Sequence, residues 1–221
     1  MEILRAEQVH YSYQTKYQTI EAVRGVSYSF ETGNMYAIVG ESGSGKSTFL
    51  SLLAGLDLPT KGNVYVEGED MAVLNRDSYR REKASVVYQS FNLFPLLTAQ
   101  ENVMFPIELK GIKKREAAKK AAELIERVGL REQVLYQFPQ MMSGGEQQRL
   151  AIARAMAAGG KIILADEPTG NLDSENQQNI VQLLKEAAHT MEFAVIVITH
   201  NPEVAAEADY VLRMRDGKLI N

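Results

Sequence analysis

The period of hydrophobic and polar positions changes twice along this 221-residue chain. From residue 1 to 30 apolar positions alternate with polar ones: Ile3, Val9, Tyr11 and Tyr13, then Val26, Tyr28 and Phe30, with a polar tip at 14–19. This predicts two antiparallel strands joined by a loose hairpin, each burying one face. The runs at 36–39, 84–88, 161–165 and 193–199 are instead nearly unbroken apolar stretches. Such runs predict strands of a mainly parallel sheet covered on both faces, where no position is left for a polar side chain. Helical spacing lies between them. Ile112, Ala117, Ala121, Leu124, Ile125 and Val128 share one face of a helix ended by Gly129, with Glu116–Lys120 and Glu123–Arg127 spaced for ion pairs on the outside. A second helix runs from the glycine turn at 143–146 to Gly159 and Gly160. A third starts at Ser174 and Gln177 and buries Ile180, Val181, Leu183, Leu184 and Ala187. Shorter elements complete the pattern: a brief charged helix at 77–83, an alternating strand at 64–67, and a closing hairpin of 210–214 and 219–220 around Asp216 and Gly217.

Strands alternating with helices imply an α/β fold with right-handed crossovers. The expected organisation is a single domain, 1–221. Residues 1–34 form an antiparallel β portion, 35–88 and 160–221 a central core, and about 89–159 an α-helical insertion. Within that insertion 91–97 is unusually apolar, and its Phe91, Leu93, Phe94, Leu96 and Leu97 suit either a small core or an exposed docking patch.

Charge and composition narrow the function without naming it. The 24 basic and 28 acidic residues are interspersed, so no basic stripe points to nucleic acid or to an anionic membrane surface. Cysteine is absent, which excludes disulfides and cysteine-ligated zinc. The start MEILRAEQVH is too charged for a secretory leader, and no apolar run approaches the roughly 18 residues of a membrane helix. The expectation is an intracellular protein that does not itself cross a membrane.

The chemistry concentrates at 35–50, an apolar strand, a glycine loop and an apolar helix. Gly40, Gly45, Lys46 and Ser47 satisfy G-x-x-x-x-G-K-[ST]. Glycines let successive backbone N–H groups curl around phosphates, Lys46 adds a charge at the β/γ-phosphates, and Ser47 offers a hydroxyl to Mg²⁺. Nucleotide binding is therefore expected. Asp166 and Glu167 leave the run at 161–165 together. Asp166 suits an outer ligand of the Mg²⁺, and Glu167 can polarise a water for attack on the γ-phosphate. His200 follows the last apolar run, at the edge where open α/β sheets bind ligands. Gln89 leaves the run at 84–88, where its amide can reach a metal or a water. Ser143, Gly144, Gly145 and Glu146 read either as a well-capped helix start or as a second anion site. Tyr13, by pattern alone, reads as a half-buried strand tyrosine.

Taken in order, GESGSGKST, Tyr88-Gln89, MSGGE, IILADEP, NLD and Thr199-His200 resemble the ATP-binding-cassette ATPases over the whole chain. The resemblance implies a P-loop NTPase core binding ATP and Mg²⁺. In it Tyr13 stacks on adenine. Gly40, Glu41, Ser42, Gly43, Ser44, Gly45, Lys46, Ser47 and Thr48 form the Walker A loop, and Gln89 senses metal and interface. Ser143, Gly144, Gly145 and Glu146 make the signature turn. Asp166 is the Walker B aspartate holding metal with Ser47 and Gln89, Glu167 the general base, Asp173 the D-loop aspartate, and His200 the switch histidine. It implies a homodimer sandwiching two nucleotides, each between Walker A of one copy and the signature turn of the other. It also implies a membrane permease docked near Gln89 and residues 91–97, which would hold the chain on the cytoplasmic face of the membrane, with no nucleic-acid partner. FNLFPLLTAQENV and LADEPTGNLDS are similar to the macrolide-efflux, lipoprotein-release, peptide-resistance and cell-division subgroup. Met142 and Glu146 depart from the usual LSGGQ. Glu146 places a negative charge near where the second copy's γ-phosphate would arrive, although as a capping-box residue it can point back to the Ser143 N–H; modest weakening of dimerisation is expected. The alternatives are a soluble cassette acting on nucleic acid or the ribosome, or a regulator that clamps ATP without turnover.

Overall fold

The computed structural model describes residues 1–14 and 16–220, so Thr15, in the polar tip expected at 14–19, and Asn221 lie outside the described residues. Strands β1 (Glu2–Gln14) and β2 (Thr19–Glu31) pair antiparallel, as their alternation predicts. After β3 (Met35–Val39) and helix α1 (Lys46–Leu53), the chain enters β4 (Lys61–Val66) and β5 (Glu69–Asp70). These do not stay with the core portion assigned to 35–88. β4 pairs antiparallel with β1, Leu4 against Val66 and Ala6 against Val64, giving a sheet in the order β2-β1-β4-β5. The reason lies in the pattern: only one face of β4 is apolar, and that face joins the buried face of β1.

Helix α2 (Arg76–Glu82) and strand β6 (Ala84–Tyr88) lead into helices α3 (Ala99–Glu108), α4 (Lys114–Arg127) and α5 (Gly144–Ala157). The chain then runs through β7 (Ile162–Asp166), α6 (Ser174–His189), β8 (Ala194–Ile198), α7 (Pro202–Ala206) and the hairpin β9 (Tyr210–Arg215) and β10 (Lys218–Ile220). The second sheet has the order β10-β9-β3-β8-β7-β6, parallel except for β10. Its unbroken apolar runs are explained by two cores. Ile163, Ala165, Val195 and Val197 face α3, α4, α5 and α6, whereas Ile162, Leu164, Ile196 and Ile198 face α1 and the antiparallel sheet.

Helix α6 starts at Ser174 as the pattern predicts, and its N-cap is Asp173, whose carboxylate accepts from the Asn176 N–H. Two local expectations change. Glu116 pairs with Lys120 at 2.8 Å, but Glu123 meets Lys119, and Arg127 turns to Glu186, tying α4 to α6. The apolar segment 91–97 divides: Leu93 packs on the helical core, while Phe94 and Leu96 stay exposed, Leu96 at 86%. Asn102 of α3 holds this segment. Fully buried, its Nδ2 donates to the carbonyls of Phe94, Leu97 and Thr98 at 3.0–3.1 Å and its Oδ1 accepts from the Phe94 N–H at 2.8 Å.

Candidate nucleotide site

The loop between β3 and α1 is held in place by close backbone approaches. A Cβ on Gly40 would lie 2.1 Å from the Met214 carbonyl oxygen, and one on Gly45 2.2 Å from that of Ala22. Only glycine fits at either position, and Gly45 adopts φ 101° as the residue preceding α1. This helix start has no side-chain cap and no acidic residue in its first turn. A helix start without a side-chain cap or an acid suits an anion. Lys46 is only 8% exposed, and its Nζ donates to the Gly40 and Glu41 carbonyls at 2.8 Å each, groups a phosphate would replace.

The loop opens onto a cleft of about 920 Å³ whose other walls carry Tyr13, Gln89, Asp166, Glu167 and His200. Ser47 Oγ donates to Asp166 Oδ1 at 3.3 Å. Burial pushes the Asp166 carboxyl above its ordinary range and adjacent Glu167 adds to this, against the Ser47 hydrogen bond and the Lys46 charge. Glu167 has φ 49°, a left-handed backbone that costs a non-glycine residue about 1 kcal/mol. Its N–H donates to the Ile198 carbonyl, which turns the side chain off β7 toward the end of β8. There its Oε1 lies 2.8 Å from Nδ1 of His200. Tyr13, whose OH meets Thr48 Oγ1 at 3.1 Å, stands in the cleft wall, 46% exposed as a residue and with its ring edge-on to that of Tyr11. The half-buried strand position read from pattern is right for its backbone, and the free ring face suits a base.

Gln89 lies across the turn after β7. Its Nε2 donates to Asn171 Oδ1 at 3.2 Å, and a Cβ on Gly170 would come within 2.7 Å of that nitrogen. Asn171 opens the NLD motif, but nothing in the sequence points to its bond with Gln89, because an asparagine in a turn is ordinary turn chemistry.

Ser143, Gly144, Gly145, Glu146 and Asp173 do not line this cleft. At the start of α5 Ser143 Oγ accepts from the Glu146 N–H, and Glu146 Oε2 accepts from Ser143 N–H at 2.8 Å and from its Oγ at 2.9 Å. The cap reading therefore holds, and the carboxylate points back to Ser143. The Ser143 N–H bond first, then the Ser143 hydroxyl and the charges of Arg149 and Arg131, keep the Glu146 carboxyl below its ordinary range despite partial burial.

A family model described as ABC transporter matches residues 23–170. The macrolide export ATP-binding/permease protein MacB of Shigella flexneri is 40% identical over 224 residues, covering 99% of this chain and 34% of that protein. The chain thus spans about a third of the length of the curated relatives it matches. Among solved structures, a dimeric bacterial ABC transporter cassette superposes with a TM-score of 0.91 at 38% identity, covering 99% of this chain and 97% of that one. A dimeric post-hydrolysis state of an ATP-binding cassette bound to ADP and Pi gives 0.91 at 37% identity, with the same shares covered.

Proposed function

Because the chain belongs to the ABC transporter family, we propose that it is an ATPase that dimerises around ATP and drives a membrane permease. The observation that carries this is the convergence of Lys46, Ser47, Asp166, Glu167 and His200, from the ends of β3, β7 and β8, on one cleft beside an uncapped helix start. The phosphates of ATP take the carbonyl-bound Lys46 and N–H groups at the start of α1. Tyr13 offers its ring to adenine. His200 turns to the γ-phosphate, which releases Glu167 to accept the proton of the attacking water.

Ser47, Asp166 and the amide oxygen of Gln89 form a hard-oxygen donor set that fits Mg²⁺, and the desolvated Asp166 gains most from such a cation. Bound there, Mg²⁺ neutralises phosphate charge.

The placement of Ser143 and Asp173 outside the cleft supports their serving the nucleotide of a second copy, in keeping with the dimeric cassettes this chain resembles. We read the chain as one cassette, with 1–34 and 61–70 as its antiparallel portion, the P-loop core around β3, and 89–159 as the helical portion. Among the described residues no helix is long and apolar enough to cross a membrane. Membrane attachment is assigned to the permease, docked beside Gln89 on the exposed Phe94, Leu96 and Phe105. MacB is named as a macrolide exporter, and export is the transport direction we assign here. A nucleic-acid or ribosomal role is not favoured, since the 24 basic and 28 acidic residues are interspersed along the chain.

The test is size-exclusion chromatography of wild type and Glu167→Gln with and without Mg-ATP, alongside phosphate release. ATP should dimerise Glu167→Gln, and only wild type should turn over. Turnover by Glu167→Gln overturns the assignment of the base; a Glu167→Gln chain that stays monomeric with ATP bound overturns the sandwich.

A further inference from the structure

The space above Gly145 is filled by one side chain. A Cβ on Gly145 would lie 2.2 Å from Asn176 Oδ1 and 2.5 Å from its Cγ. Asn176 stands in the first turn of α6, and its Oδ1 accepts from the Arg149 guanidinium of α5 at 3.1 Å. On its other side Nδ2 donates to both oxygens of Asp173, at 3.1 and 2.9 Å, while its backbone N–H donates to Oδ1 at 2.9 Å. The amide orientation is fixed by these partners, because a carboxylate only accepts and a guanidinium only donates. Arg149 has its Nε buried without a partner, so the bond to Asn176 carries much of its desolvated charge. No ion pair joins Arg149 directly to Asp173 among the described residues; the asparagine amide is the link.

We propose that Asn176 is a positioning residue that locks the glycine turn at the start of α5 to the Asp173 turn at the start of α6, setting their spacing for the second copy's nucleotide. This rests on the sandwich reading above. The two turns belong to different portions of the fold, α5 to the helical portion and α6 to the core; the Leu172 side chain reaches toward Gly144, 3.6 Å from where a Cβ there would lie, and Asn176 adds the polar link between the turns. The contact also gives Gly145 a second reason to be glycine: any side chain there displaces Asn176 and uncouples Arg149 from Asp173.

The experiment places Asn176→Ala in the Glu167→Gln chain. It reads the ATP concentration at half-dimerisation, the nucleotide affinity of the monomer under dilute conditions, the thermal midpoint, and hydrogen exchange of the 142–148 segment. The expected result is about a tenfold higher ATP requirement for dimerisation, the size of losing a hydrogen bond to a charged partner. Monomer affinity should be unchanged, and exchange at 142–148 faster. Arg149→Ala should raise the ATP requirement by a similar factor and add little on top of Asn176→Ala, since both break the same link. An unchanged ATP requirement, or one that rises only in step with weakened monomer affinity, overturns the proposal. If the Glu167→Gln parent itself stays monomeric, the sandwich reading fails, and the exchange data still decide the lock: unchanged protection at 142–148 refutes it.

Discussion

Replacing Glu146 by glutamine separates two effects of one charge that act in opposite directions. In the isolated chain the carboxylate accepts two hydrogen bonds from Ser143, at 2.8 and 2.9 Å, and sits in the first turn of α5 where the helix dipole favours it. A glutamine keeps the shape and loses the charge, which weakens the cap by about 1 kcal/mol. In the proposed sandwich the same charge, although turned back to Ser143, comes nearer the phosphates of the second copy's nucleotide. For like charges roughly 8 Å apart at an effective dielectric of about 40 the repulsion is about 1 kcal/mol. Glu146→Gln in the Glu167→Gln chain should therefore melt slightly earlier yet dimerise at roughly fivefold lower ATP. The cap also has a pH signature. The Ser143 N–H holds the folded-state pKa below the ordinary value, so the stabilisation is complete above the unfolded carboxylate pKa of about 4.3 and is lost as pH falls through the folded value. The gap in melting temperature between the Glu and Gln chains should be full at pH 7 and close in acid. An ATP requirement that stays the same or rises would refute the placing of this charge near the second copy's phosphates.

Two further substitutions test supports of the cleft. Gly170→Ala puts a methyl 2.7 Å from Gln89 Nε2 and breaks its bond to Asn171; phosphate release should fall several-fold while nucleotide titration of the monomer is unchanged. Asn102→Ala strips the bonds to Phe94, Leu97 and Thr98 inside the core; calorimetry should record a loss of about 3 kcal/mol, and pull-down of a cognate permease through the exposed Phe94 and Leu96 should weaken with it.

What the sequence makes legible here follows from what each signal measures. Residues feeding a single strand end or loop were readable, because a two-core strand such as β8 has no polar position and its first polar residues stand out as Thr199 and His200. The phosphate loop was readable because Gly40 and Gly45 answer to backbone clashes that no other residue survives. The pairing of β4 with β1 was not, since alternation reports that one face is buried and says nothing about the neighbour. Nor were the partners of Asn171, although it opens the NLD motif, or of Asn176: each bonds across more than 20 residues, and an asparagine near a turn says nothing of its partner. The apolar stretch at 91–97 resisted for a different reason. Composition cannot separate Leu93, packed inward, from Leu96, left outside, when the divider is a single buried amide at Asn102.

The two glycine turns that open helices are built to opposite specifications, and the difference bears on how a dimer forms. The start of α1 has neither cap nor acidic residue, and a lysine stands where an acid would usually be, so it binds an anion without first losing anything but the Lys46 carbonyl contacts. The start of α5 already has its anion, the carboxylate of Glu146 seated on both donors of Ser143. In the proposed sandwich, a phosphate arriving from a second copy would share or displace that carboxylate before the Ser143 hydroxyl could turn to it. On that reading the first site fills at lower ATP in a single chain, and the second engages once the closing surface supplies enough additional contact to overcome the internal cap. Nucleotide binding and dimerisation would then be separate events with separate ATP requirements, and the capping box at Ser143 and Glu146 would set the distance between them.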